Sequence, residues 1–147
     1  MNVVMDQRRV GRAAQAHLSE DLTRLEGLWI DAGLCGARYI PAEHIAMLGR
    51  VAVITDSPGA RKRICQRALF RRAVSTDGRR LGAIVDAMVN EISFTVDALE
   101  LSRGVWDDLM HGRGLVQHFR VDPDTGNIVV EDEITESKGG NTACEAE

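Results

Sequence analysis

Asp6-Gln-Arg-Arg-Val10-Gly-Arg-Ala-Ala14-Gln-Ala-His-Leu18-Ser-Glu-Asp-Leu22-Thr-Arg-Leu25-Glu-Gly-Leu-Trp29-Ile-Asp-Ala32-Gly-Leu34 is the stretch on which the reading of the fold turns. Val10, Ala14, Leu18, Leu22, Leu25, Trp29 and Ala32 recur at steps of three and four, which is one apolar stripe of an amphipathic helix. The spacing predicts one long helix, or two if Ser19-Glu20-Asp21 supplies an N-cap and early-turn acids in its middle. Gly33 and Gly36 end it through the backbone freedom a helix C-terminus uses.

Outward from this stretch the same period continues. Pro41 opens a segment to Ile54 with Ile45, Leu48 and Ala52 on one side, although Val51-Ala-Val-Ile-Thr55 has strand composition. Ser57-Pro58 starts a third helix to about Val74, with Ile64, Cys65, Ala68 and Leu69 on its apolar side and Lys62, Arg63, Arg67 and Arg71 elsewhere. After a turn at Ser75–Gly78, Leu81, Ile84, Val85 and Met88 fit a fourth helix, Arg79 to Asn90. Two short helices joined at Leu101-Ser102 follow, the second capped by Ser102, facing inward through Val105 and Leu109 and ended by Gly112. Beyond Gly112 the period changes to 2, and Leu115 to Val121, a turn at Asp122–Asn127, and Ile128 to Val130 make a β-hairpin over 115–134.

The expected fold is therefore mainly α: about six helices and a C-terminal two-stranded hairpin that packs on them through Phe119, Val121, Ile128 and Val130. It forms a single compact helical domain over 1–135. Residues 136–147 have little to bury and are expected to be a disordered acidic tail. No internal repeat is visible at solenoid periods.

The 147 residues are 44% hydrophobic and 27% charged, which suits one core and excludes a fibre or a disordered chain. No apolar run approaches the roughly 18 residues that span a bilayer, and MNVVMDQRRVGR has no signal-type hydrophobic stretch, so a cytoplasmic protein without membrane contact is expected. Cys35, Cys65 and Cys144 have no C-x-x-C spacing and are expected as reduced thiols. The net charge of −4 is unevenly spread: residues 59–80 hold eight basic groups against Asp77 alone, while 81–147 hold four basic and fourteen acidic. Such a segment attracts a polyanion locally or pairs with the acidic half of its own chain.

Val96, Leu101-Ser102, Val105, Leu109 and Gly112-Arg113 are spaced as in a Cro/repressor-type helix-turn-helix, which the sequence resembles over residues 79–114. The resemblance implies a small DNA-binding transcriptional regulator acting on double-stranded DNA. Ser102 and Arg103 would reach base edges, while Arg61, Arg63, Arg67, Arg71, Arg79, Arg80 and Arg113 bind phosphates. A homodimer through Leu18, Leu22, Leu25 and Trp29 would suit two half-sites, although the same stripe packs equally well on Ile45, Leu48, Leu69 and Ile84 of its own chain. The alternative is a non-enzymatic protein-interaction module, an inhibitor or assembly component, with an acidic binding surface that accounts better for Asp107 and Asp108.

No catalytic constellation is legible. His17, His44, His111 and His118 lack the i, i+4 companion of a helix-borne metal site, Cys65 has no base, and Gly112-Arg-Gly114 lacks phosphate-loop spacing. Neither enzyme activity, a metal nor a cofactor is expected.

Overall fold

A computed structural model describes residues 1–63, 71–131 and 134–136. It is predominantly β. One seven-stranded sheet contains β1 (Asn2–Met5), β2 (Arg8–Leu18), β3 (Leu25–Asp31), β4 (Ala37–Pro41), β5 (Ile45–Leu48), β6 (Ala52–Thr55) and β7 (Ala60–Arg61), in the order β5-β6-β1-β2-β3-β4-β7. The other contains β8 (Arg72–Ser75), β9 (Arg80–Val89), β10 (Val96–Ser102), β11 (Gly114–Val116), β12 (Phe119–Val121), β13 (Ile128–Val130) and β14 (Thr135–Glu136), in the order β12-β13-β8-β9-β10-β11-β14. Among the described residues the only α-helix is α1 (Val105–His111), and 3-10 turns occupy Gly33–Cys35 and Ala42–His44. The chain divides into two compact units, Met1–Ala68 with Val89–Asp97, and Leu69–Met88 with Ala98–Glu147.

The two strand orders are one order written twice, and the registers repeat with them. Val3 pairs in parallel with Val53, and Ala73 with Ile128. Val3 faces Gly11 with Val10 bulged out of the ladder, and Ala73 faces Gly82 with Leu81 bulged out. Leu28 faces Ile40 as Leu99 faces Val116, and Arg38 faces Arg61 as Gly114 faces Glu136. Even a loop bond recurs: the His44 carbonyl accepts from the Asp56 N–H at 3.1 Å, and the His118 carbonyl from the Glu131 N–H at 3.0 Å. The protein is thus an internal duplication, and its clearest sequence trace is Asp6-Gln-Arg-Arg-Val-Gly11 against Asp77-Gly-Arg-Arg-Leu-Gly82. The period exceeds those of solenoid repeats, and most other positions differ.

Matching positions form the cores. Val3, Leu28, Ile30, Ile40 and Val53 are buried in unit 1, and Ala73, Leu99, Leu101, Val116 and Ile128 take their places in unit 2. Each fully buried large aliphatic side chain contributes roughly 1.5–3 kcal/mol by leaving water.

The mainly α expectation is overturned, and β-bulges are the physical reason. In β2 the residues Val10 and Ala14 are both skipped by the ladder, since Gly11 and Arg9 pair with consecutive residues of β1, and Ala13 and Gln15 with consecutive residues of β3. Alternation by itself gives even steps, four among them, and each bulge adds one residue and makes a step odd, so a bulged strand mixes threes and fours as a helix does. Ser19 is not a helix cap. Its Oγ accepts the N–H groups of Thr23 (3.2 Å) and Arg24 (3.1 Å) inside the β2–β3 turn. The expected fourth helix is β9, the strand-like Val51–Thr55 contains β6, and Ser57-Pro58 leads into β7. Residues 64–70, including Arg67 and Leu69, and the tail 137–147 lie outside the described residues.

The span 79–114 folds as β9, β10, α1 and β11, so the paired helices of a helix-turn-helix are not formed and the regulator reading built on them falls. Leu18, Leu22, Leu25 and Trp29 are buried in unit 1 instead of forming a seam on a helix. The expected hairpin turn does form. Val121 faces Ile128 and Phe119 faces Val130, with the Asp122 carboxylate accepting the Asp124 N–H at 3.0 Å. Among the described residues no helix is long and apolar enough to cross a membrane.

Candidate functional site

In unit 1 the β3–β4 connection and the edge strand β7 build a cationic rim. The Asp31 carboxylate accepts the Gly33 N–H at 2.8 Å, and Gly33 and Gly36 take φ of 64° and 74° to make the tight turn between them. Leu34 at its tip is fully exposed, and Cys35 is an exposed free thiol. On β7, Arg61 stands opposite Arg38 of β4, so the two side chains emerge on one face of the sheet. The Arg38 Nε is buried without a hydrogen-bond partner. A hollow of about 410 Å³ opens here, lined by Leu34–Ala37 and Arg61–Arg63.

The other face of the same strands carries an aromatic cluster. Tyr39 lies 5.0 Å from Trp29 and 5.4 Å from His17 between ring centroids, and Lys62 Nζ sits 4.6 Å over the Tyr39 ring. The Tyr39 hydroxyl is 2.6 Å from His17 Nδ1 and 3.2 Å from the Glu26 carbonyl oxygen. With one proton to give, it donates to the carbonyl when Nδ1 carries hydrogen and to Nδ1 when it does not. Burial, and then the Glu26 carboxylate, raise the Tyr39 phenol above the ordinary tyrosine range, so it is not an activated nucleophile.

Unit 2 elaborates the equivalent connection differently. Gly104 leads into α1, and Gly112, with φ of 77°, closes it by donating its N–H to the Asp108 carbonyl at 3.1 Å, which is the termination expected from sequence. Ser102, expected as its N-cap, donates instead from Oγ to Asp108 Oδ2 at 2.6 Å, while Asp108 Oδ1 accepts the Arg103 N–H at 3.2 Å. These bonds pin the helix to the end of β10. Val105 and Leu109, expected inward, are 82% and 73% exposed, and Met110 is 74% exposed.

The structure gathers the sequence-predicted site residues only in part. Arg80, Ser102 and Arg103 line one hollow of unit 2, and Arg79 and Arg103 another. Arg113, beyond α1, pairs with Glu100 at 3.0 Å. Arg71 precedes β8, its carbonyl accepting the Ile84 N–H at 2.9 Å. Arg61 and Arg63 belong to unit 1, and Arg67 lies outside the described residues. Among the described residues there is no group of three or more His, Cys, Asp or Glu placed to hold a metal ion. Arg38 and Tyr39 escaped the sequence reading, and the Asp-x-Arg-Arg hexads do not expose them, because only the sheet registers set Gly114 and Leu115 at their places in unit 2. No protein-family model and no curated protein matches the chain.

Proposed function

We propose that this chain is a non-catalytic protein-binding module that docks a partner through the outward side of α1. The observation that carries the reading is the exposure of Val105, Leu109 and Met110 on a helix that Ser102, Asp108 and Gly112 hold in place. Seven residues are too few for a helix to persist in water unaided, so its local bonds maintain an apolar ridge. Val105 and Leu109 are an i, i+4 pair, the spacing of anchors that enter a groove. Three side chains alone offer far less than the roughly 800 Å² per partner of a stable interface. The occupant of this reading is another protein with a concave apolar groove that envelops the ridge and adds contact around it.

A photo-crosslinking residue at position 109, tested in the cells that make the protein, should yield one discrete heteromeric adduct. The adduct should be absent when the probe replaces exposed Asp124 and should disappear with Val105→Asp. A homodimeric adduct, or none, overturns the reading.

A further inference from the structure

We infer that the β4–β7 edge of unit 1 is a binding site for a tetrahedral oxyanion of the phosphate class, bridged between Arg38 and Arg61. Like charges directly opposite on neighbouring strands repel unless a counter-ion lies between them. Among the described residues neither arginine makes an ion pair. Nor does the chain between Gly59 and Thr76 carry a carboxylate. The buried, unpartnered Nε of Arg38 is a charged donor that has lost water and gained nothing in return. A guanidinium pair offers planar forks matched to phosphate oxygens, and the adjoining hollow adds Arg63 at its rim and Leu34 as an apolar wall.

The duplication shows that the fold itself does not require this arrangement. At the same register of unit 2 the chain places Gly114 opposite Glu136, and the sheet pairs there all the same. The arginine pair is an addition peculiar to one copy, which is where a ligand site is expected to differ from a structural one. It involves no residue of α1 and stands independently of the partner-docking reading.

Calorimetric titration of the full chain at low ionic strength, with inorganic phosphate and with phenyl phosphate, tests the site. One saturable site per chain is expected, weakened at least tenfold by Arg38→Gln and by Arg61→Gln and unchanged by Arg50→Gln. Equal affinity for the two probes marks the free ion as the ligand, whereas tighter phenyl phosphate binding marks a phosphomonoester seated against Leu34. Thermal melts separate binding from folding: without phosphate Arg61→Gln should melt no lower than the wild type, because a repulsion is relieved, yet phosphate should no longer raise its Tm. Absence of saturable binding, equal weakening by Arg50→Gln, or a lower phosphate-free Tm for Arg61→Gln overturns the proposal.

Discussion

Gly11 lies against the main chain of Asp31, so closely that a Cβ at Gly11 would stand 2.6 Å from the Asp31 carbonyl oxygen. Gly82 meets the carbonyl of Ser102 in the same way, and Ser102 is the residue that Asp31 becomes in the second unit. Both glycines follow the bulged residue of the longest strand of their sheet, Val10 or Leu81, where the strand bends toward its neighbour. Two features shared by the units, the glycine and the bulge that precedes it, thus have one steric cause.

Gly11→Ala should therefore destabilise the protein by about 1–3 kcal/mol, the usual cost of forcing an extra carbon into occupied space. Gly82→Ala should cost more, because Gly82 also has a φ of 152°, which side chains rarely adopt. Urea denaturation of the two variants checks both the loss and its order; wild-type midpoints would contradict the shared packing.

Removing the Ser102 hydroxyl should loosen α1 without touching a core. Ser102→Ala deletes the 2.6 Å bond to Asp108 and should cost about 1 kcal/mol. Amide exchange should accelerate across Val105–His111 while Leu99 and Leu101 stay protected. Unchanged exchange in the helix would mean that other contacts hold it.

The exposure of the α1 ridge predicts a contrast between two leucines. Leu109→Ser should change stability by no more than about 0.5 kcal/mol, whereas Leu101→Ala, at a fully buried position, should cost roughly 2–5 kcal/mol. A large loss from Leu109→Ser would show that the ridge is covered within the free chain.

Tyr39 is the single tyrosine of the protein, so its phenolate absorbance reports one site. Its folded pKa is raised, chiefly by burial, while the unfolded value stays near about 10. The stability it contributes is complete below the unfolded value and is lost as pH rises from there through the folded value. Denaturation midpoints should fall over that alkaline window in the wild type, with a smaller fall in Tyr39→Phe, and spectroscopic titration should place ionisation above that of free tyrosine.

Three of the chain reversals were legible because their chemistry is local. The Asp122–Asn127 turn, the Gly112 terminus and the Ser75–Gly78 turn rest on side chains and φ values within a few residues. The strands were not, since β2 carries two bulges four residues apart and its apolar spacing imitates a helix. The candidate site was visible in fragments: Arg61 and Arg63 stood out as charge, while Arg38 sat alone in an unremarkable segment until β7 paired with β4.

By itself the sequence determined the turns at Ser75–Gly78 and Asp122–Asn127, which residues are apolar enough to be buried and that cations concentrate between residues 59 and 80, because these depend on residue type and near neighbours alone. The tertiary structure decided that Arg8–Leu18 and Leu25–Asp31 are strands, that Val105 and Leu109 face outward while Leu99 and Leu101 face in, and that Arg38 meets Arg61. Each of these depends on which distant segment supplies the hydrogen-bonding partner. A bulge or a one-residue change of register reverses the answer without changing local composition.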